Sequence, residues 1–171
     1  EKGEKVAGEE MDAETLTLPC IMGADGVFAP FRPNGGDPSG KVVWKEVKVG
    51  VIARLKHRLN RKGNQVTDLV QRKVVAVLGD VAMLASRLLL ESCRQQIDQA
   101  QITLWISDGG RWLWGIYQTH FALYAWGLLD FYHSTQNLWK AAAAWKDGRT
   151  KKAKPWFQEA RHRLRYGEEA Q

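Results

Sequence analysis

Residues 102–133 read ITLWISDGGRWLWGIYQTHFALYAWGLLDFYH, and most of the fold prediction rests on this stretch. It contains two short apolar runs, ITLWI and LYAWGLL, with the length and composition of buried strands, and an aromatic-rich helix is predicted between them. Asp108 follows the first run, and Asp130 and His133 follow the second. Because open α/β sheets place reactive sites at the carboxyl ends of their strands, these polar residues are the first functional candidates.

The upstream sequence predicts extended segments followed by one long helix. Residues 16–24 form a short apolar run typical of a buried strand. Alternation of apolar and polar residues over 42–59 predicts a second strand, and extended structure is predicted over 66–79 after the turn NRKGNQ. The apolar stripe that follows Asp80 predicts an amphipathic helix with Asp80 as its N-cap.

This order of elements predicts an α/β fold, with a mixed sheet flanked by helices. Residues 1–15 are polar and are predicted to form a flexible arm or linker. Residues 16–133 are predicted to form the core, and residues 134–171 a helical region. The Pro- and Gly-rich residues 33–40 predict a loop. We expect the chain to be a fragment or excised domain of a longer protein.

The composition limits the function classes only loosely. The chain has 171 residues and a net charge of +6, which favours polyanionic partners such as nucleic acid. Cys20 and Cys93 lack the spacing of a metal or redox motif, so both are interpreted as idle or buried thiols in a reducing compartment. No run of about 18 apolar residues is present, so no membrane partner is expected.

Asp25 and Asp108 are the candidate metal ligands. If their strands are neighbours in the sheet, two carboxylates would lie close together, and carboxylate oxygens suit Mg²⁺ or Mn²⁺. Each residue also has a simpler interpretation. Asp25 precedes Gly26 and could form a hairpin turn, and Asp108 could cap the helix that starts near Arg111.

The remaining candidates are a DxxH pair and several basic residues. Asp130 and His133 could support the carboxylates or contact a phosphate, or they could simply end a strand and begin a helix. Two basic clusters, near residues 45–62 and 146–165, could bind backbone phosphates, or could be solvated charged faces. The candidate nucleic-acid contacts are Lys45, Lys48, Arg111, Lys151, Lys152 and Lys154.

Four segments together resemble the catalytic region of bacterial insertion-sequence transposases of the Mutator-like kind. GADGVFAPFR with WKEVKVGVIARL resembles the first catalytic aspartate and its strand meander. VAVLGDVAMLASRLLLESC resembles the helix before the second acid. WISDGGRWLWGI resembles the turn of the second aspartate, and LLDFYHSTQNLW resembles the (C/D)xxH signature. The resemblance covers roughly residues 18–145.

The resemblance implies an RNase H-like fold with a DDE triad, followed by the start of an all-α insertion. Asp25 and Asp108 would be the first two catalytic, metal-binding acids, and Asp130 and His133 the supporting signature pair. The third acid of the family is a glutamate on a later helix. Glu159 comes too early in the helical region to be assigned that role.

The functional hypothesis is therefore a fragment of a DNA transposase. The resemblance implies Mg²⁺ or Mn²⁺ as the cofactor. It implies double-stranded DNA as the partner, both the element ends and the target. A homo-oligomer would be compatible with the family. The implied location is the bacterial cytoplasm, at the nucleoid. Two alternatives stay open: an inactive DNA-binding remnant or domesticated module, and another RNase H-like nuclease such as a junction resolvase.

Overall fold

The structure, a computed structural model, describes residues 6–33 and 40–167. Within these ranges it has five strands and five α-helices. The strands are β1 (Cys20–Phe31), β2 (Val43–Leu59), β3 (Gln65–Val77), β4 (Thr103–Ser107) and β5 (Trp126–Leu129). The helices are α1 (Ala13–Thr17), α2 (Val81–Arg94), α3 (Arg111–Ile116), α4 (Phe131–Lys146) and α5 (Ala153–Tyr166). A 3₁₀ turn over Ile97–Gln99 follows α2, and a π-helical turn over Tyr117–Phe121 follows α3.

The strands form one mixed sheet in the order β3-β2-β1-β4-β5. Strands β1, β2 and β3 are an antiparallel meander, while β4 pairs with β1 in parallel. The prediction of an α/β protein with a mixed sheet flanked by helices is confirmed. Strand β1 lies at the centre of the sheet, with β2 along its whole length on one side and β4 beside its first residues, Cys20–Met22, on the other.

The first strand starts later and runs further than its apolar run predicts. Leu16 and Thr17 belong to α1, because Asp12 accepts a hydrogen bond from the Thr15 amide and caps that short helix. The strand then continues through Asp25 to Phe31 and pairs with β2 along its whole length. An Asp-Gly turn at residue 25 is therefore excluded.

The turn between β2 and β3 is the one that the sequence predicts. The Asn60 side chain accepts hydrogen bonds from the amides of Lys62 and Asn64, and Gly63 has a φ of 75°. The register of the two strands shifts between Ile52 and Arg54, where the ladder is irregular. Such bulges increase the local twist of an antiparallel pair.

One face of the sheet is covered by α2 and the aromatic segment after β4. Asp80 caps α2 as predicted, its carboxylate accepting the Met83 amide at 2.8 Å. Leu84 and Leu88 are fully buried in the same core cluster as Trp105. The core members are Cys20, Met22, Ile52, Val77, Leu84, Ala85, Leu88, Ile97, Trp105, Ile116, Phe121 and Ala125.

A buried arginine joins the start of the sheet to the end of α2. Arg54 is 1% exposed, and its guanidinium donates to the carbonyl oxygens of Leu18, Gln95 and Gln96 at 3.1, 2.7 and 3.0 Å. Gln95 is the C-cap of α2, so the cation also lies at the negative end of the helix dipole. Arg54 thereby donates to three backbone carbonyl groups, of which that of Gln96 also accepts the Gln99 amide at 3.0 Å.

Part of the segment predicted to be a flexible arm contacts the folded chain. The amide of Glu9 donates to the carbonyl oxygen of Arg94 at 2.8 Å, and its carboxylate pairs with Lys73 at 2.7 Å. Glu9 thus contacts α2 and β3, and Ala13–Thr17 form α1, although the sequence of this segment shows no apolar periodicity. Residues 1–5 of the arm and most of the predicted loop 33–40 lie outside the described residues.

The chain divides into two compact units, Glu1–Leu128 and Leu129–Gln171. In the second unit, α4 and α5 pack through edge-to-face ring pairs, Trp139 with Phe157 and Trp145 with Trp156. This helix pair corresponds to the predicted helical region, although α4 starts at Phe131. In the part of the chain that the structure describes, no helix has the length and hydrophobicity needed to cross a membrane.

Candidate metal site

The two candidate metal ligands occupy equivalent positions relative to the parallel pairing of β1 and β4, Asp25 within β1 and Asp108 directly after β4. Met22 of β1 pairs with Trp105 of β4, and Asp25 and Asp108 each follow their paired residue by three positions. The close approach of the strands continues beyond this pair, since a Cβ on Gly23 would lie only 2.2 Å from the carbonyl oxygen of Ile106. Neighbouring strands are roughly 4.8 Å apart, so both aspartates lie just beyond the same end of the parallel pairing between β1 and β4.

Alternation of side chains along a strand gives Asp25 the sheet face opposite the core. In β1 and β4 the buried residues are Cys20 and Met22, and Thr103, Trp105 and Ser107. Asp25 has the opposite parity, and the same alternation continued one residue past β4 favours that face for Asp108. Asp25 is exposed and Asp108 is partly buried, so both residues are accessible to solvent.

The backbone around Asp108 is held by three hydrogen bonds. Its Oδ1 accepts the amide of Gly110 at 2.8 Å, and its carbonyl oxygen accepts the indole N–H of Trp114 at 2.8 Å. The preceding Ser107 accepts the indole N–H of Trp105 at 3.0 Å. Gly110, not Asp108, is the N-cap of α3. The helix-cap interpretation of Asp108 is therefore wrong, although its carboxylate does stabilise the turn.

The donor chemistry of this pair fits a hard divalent cation. Asp25 Oδ1 accepts the amide of its neighbour Gly26 at 2.7 Å. Within the described residues, neither carboxylate takes part in an ion pair with a lysine or arginine. Carboxylate oxygens are the ligands that Mg²⁺ and Mn²⁺ prefer, so these two side chains could contribute to a site for such an ion.

The described residues contain no cluster of three or more His, Cys, Asp or Glu side chains arranged to hold a metal. Within those residues, Asp25 and Asp108 are thus two ligands without a third. Glu159 lies in α5, where its carboxylate pairs with Arg163 at 2.6 Å. This pairing agrees with leaving Glu159 out of the predicted site.

Asp130 and His133 meet at the start of α4. Asp130 is the N-cap, and Oδ1 accepts the amides of Tyr132 and His133 at 2.7 and 3.3 Å. Its Oδ2 lies 3.1 Å from Nδ1 of His133. Partial burial acts to raise the pKa of Asp130, but the hydrogen bonds from His133 and the two amides outweigh it and lower that pKa. The local geometry is that of a helix cap reinforced by an imidazole.

The predicted nucleic-acid contacts fall into three settings. Lys45 is exposed, and strand alternation gives it the same sheet face as Asp25. Its Nζ lies 5.6 Å from the ring centroid of Phe31. Arg111 is exposed at the first position of α3, three residues after Asp108. Lys151, Lys152 and Lys154 are exposed between α4 and α5 and in the first turn of α5.

Lys48 differs from the other five. It is only 9% exposed, its ammonium is 2.6 Å from Oε2 of Glu46, and it lies 5.4 Å from the ring centroid of Trp112. It points to the face of the sheet opposite Asp25. The sequence shows that Lys48 is basic, but the alternation in β2 does not show which face of the sheet is covered, so the burial of Lys48 could not be predicted.

The cysteines have separate environments. Cys20 is fully buried in the core, and burial raises the pKa of its thiol to about 11. Cys93 is exposed near the end of α2. It lines a cavity of about 610 Å³ together with His120 and Tyr124. Cys20 is therefore a packing residue, in line with its interpretation as an idle thiol.

Comparison with protein-family models, with curated proteins and with solved structures finds no match for this chain.

Proposed function

We propose that the chain is part of the catalytic core of a DDE-type DNA transposase with an RNase H-like fold, in which Asp25 and Asp108 bind Mg²⁺ or Mn²⁺. The observation that carries the proposal is the parallel register of β1 and β4, which gives the two aspartates equivalent positions. An RNase H-like core needs this arrangement: a meander whose first strand bears one acid, beside a parallel strand that ends at the second.

The local contacts support distinct roles for the residues of the first unit. Asp25 and Asp108 would hold the cation. The exposed Lys45 and Arg111 would contact backbone phosphate, Lys45 from the same sheet face as Asp25 and Arg111 from the turn after Asp108. When bound, the cation would supply Lewis-acid activation of the attacking oxygen in phosphodiester cleavage and strand transfer.

The charge of the second unit supports DNA as the partner. Residues 129–171 carry nine Lys or Arg and five Asp or Glu, a net charge of +4 out of the +6 of the whole chain. Exposed aromatic rings accompany these charges: Lys146 Nζ lies 3.6 Å from the ring of Trp145, which is 65% exposed. Such surfaces bind nucleic acid through phosphate contacts and, in single strands, through base stacking.

One observation favours the second candidate, an inactive DNA-binding module. Within residues 6–33 and 40–167 the two aspartates have no third acidic partner arranged for metal binding. A chain without its third ligand would keep its basic surfaces and lose cleavage. Metal binding and DNA binding therefore have to be measured separately.

The deciding experiment is a calorimetric titration of Mn²⁺ into the purified chain and two variants, Asp25→Asn and Asp108→Asn. The transposase proposal expects binding to the unaltered chain and its loss in both variants. Asp68→Asn is the matched control, since Asp68 is a half-exposed aspartate paired with Arg58 on the β2–β3 hairpin.

DNA affinity is measured in parallel by fluorescence anisotropy. Asp108→Ala is expected to leave binding of duplex DNA without metal unchanged. If the unaltered chain binds DNA and takes up no Mn²⁺, the metal site is not built and the inactive module is the better description. If it binds neither, both candidates are wrong.

A further inference from the structure

An ion pair between a buried lysine and a partly exposed glutamate lies on the sheet face opposite Asp25. Lys48 is nine-tenths buried, and its ammonium contacts the carboxylate of Glu46 at 2.6 Å. A buried ammonium is costly unless it is paired and hydrogen-bonded. Lys45, three residues earlier on the same strand, is exposed to solvent instead.

One end of this pair touches the backbone that follows Asp25. Gly26 is opposite Lys48 in the β1–β2 ladder. A Cβ on Gly26 would lie 2.3 Å from Oε1 of Glu46, so the carboxylate fills the space that a side chain would need. Glu46 therefore packs directly against β1 one residue after the first metal-binding candidate.

The other end touches the helix that fixes Asp108. Lys48 Nζ lies 5.4 Å from the ring centroid of Trp112, the second residue of α3. Residues before and after Trp112 form hydrogen bonds with Asp108. The amide of Gly110 donates to its carboxylate, and the indole N–H of Trp114 donates to its carbonyl oxygen. The chain of contacts from Glu46 through Lys48 to Trp112 thus joins the Asp25 strand to the Asp108 turn.

We propose that Lys48 is a positioning residue that, with Glu46 and Trp112, fixes the relative positions of Asp25 and Asp108 for divalent-cation binding. This inference rests on the proposed function, because it assumes that the two aspartates bind a cation. Lys48 contacts neither the cation nor the substrate. It acts through the two backbone segments that carry the acids, much as groups behind metal ligands tune affinity in other sites.

The direction in which Lys48→Met changes Mn²⁺ affinity distinguishes a positioning role of Lys48 from a purely electrostatic one. Lys48→Met removes a positive charge near two carboxylates, so a purely electrostatic role predicts tighter Mn²⁺ binding. The positioning role predicts weaker binding, by about tenfold or more. Lys56→Met is the matched control, since it removes the same charge from an exposed site on the same strand and is expected to leave affinity unchanged or slightly higher.

The Mn²⁺ dissociation constants are measured from the electron paramagnetic resonance signal of free Mn²⁺. Lys48→Arg keeps a cation that can pair with Glu46 and lie over Trp112, and it is expected to restore affinity to within about threefold. Amide chemical shifts without metal give a second readout: Lys48→Met should move the signals of Gly26 and Gly110, and Lys56→Met should not move that of Gly110.

The outcomes distinguish this inference from the proposed function. If the unaltered chain takes up no Mn²⁺, the proposed function is wrong and the positioning role falls with it. If the unaltered chain binds Mn²⁺ and Lys48→Met binds equally or more tightly, only the positioning role is overturned. Should Lys48→Met fail to fold, Trp112→Leu replaces it, with the same expected loss and the same overturning result.

Discussion

Asp25 lies within β1 and Asp108 directly follows β4, each three residues beyond the paired Met22 and Trp105 of these parallel strands. Asp25 is exposed, so we expect Asp25→Asn to change the metal-free stability by less than about 0.5 kcal/mol. Mn²⁺ should raise the melting temperature of the unaltered chain and not that of the variant.

Differential scanning fluorimetry with and without Mn²⁺ measures both effects. Asp68→Asn serves again as the control and should keep the Mn²⁺ response. A variant at Asp25 that keeps the Mn²⁺ response would contradict the assignment of Asp25 as a ligand.

The lysines before and within α5 are expected to dominate the salt dependence of DNA binding. Replacing Lys151, Lys152 and Lys154 with Gln removes three exposed charges. The slope of log affinity against log salt concentration should fall by about 0.9 for each phosphate that is no longer neutralised. Fluorescence anisotropy over a range of NaCl concentrations measures the slope.

A charge-matched control uses three basic residues that already have acidic partners. Lys56 pairs with Glu14, Lys73 with Glu9 and Arg58 with Asp68. Their triple replacement with Gln changes the net charge equally. Equal slopes in the two triple variants would show that net charge, and not the lysines around the start of α5, governs binding.

Arg54 is expected to be among the most sensitive positions for stability. Arg54→Met keeps much of the side-chain volume but removes the guanidinium that donates to the carbonyl oxygens of Leu18, Gln95 and Gln96. The Gln96 carbonyl still accepts the Gln99 amide, whereas each buried acceptor left unpaired costs about 1–3 kcal/mol. For the other two carbonyls we expect a decrease of about 2 kcal/mol or more in the free energy of unfolding, measured by urea denaturation.

Arg58→Met is the control on the same strand. Arg58 is more than half exposed and pairs with Asp68, so its replacement should cost less than about 1 kcal/mol. A similar decrease in both variants would mean that the buried carbonyl contacts of Arg54 contribute little.

Asp130 links pH to the stability of the second unit. Its pKa in the folded chain is lowered, so the stability it contributes is present above the ordinary value of 3.8 and is lost as pH falls through the lowered pKa. Asp130→Asn keeps a capping side chain and Asp130→Ala does not; the alanine variant should lose about 1 kcal/mol at neutral pH.

Circular dichroism melts between about pH 2 and 7 test this relationship, because they span the range in which the carboxylate titrates. The stability difference between the unaltered chain and Asp130→Asn should shrink as the solution is acidified. A difference that stays constant over this range would show that the charge of Asp130 adds nothing to its cap.

The sequence predicts the alternation of elements well and predicts local exceptions poorly. Period-two alternation in β2 and the Asp80 cap of α2 are strong local signals, and both elements form as predicted. The sequence alone does not show whether Asp25 lies in a strand or in a turn, because Asp-Gly has high turn propensity. The long ladder between β1 and β2 overrides that propensity.

The role of Lys48 depends on tertiary contacts that carry no local signal. Alternation places Glu46 and Lys48 on the same face, which could have indicated a pair, but it does not show that Trp112 lies over that face. In the same way, DFYH reads equally well as a functional signature and as a helix start. The structure gives it the cap geometry in either case.

The contrast between the two thiols has a practical consequence. Cys20 is sealed in the core with its pKa raised to about 11, whereas Cys93 is exposed on α2. A maleimide dye or nitroxide added at neutral pH would therefore attach at Cys93 with no cysteine removed. The native chain thus carries its own single attachment point for distance measurements from α2 to DNA or to Mn²⁺.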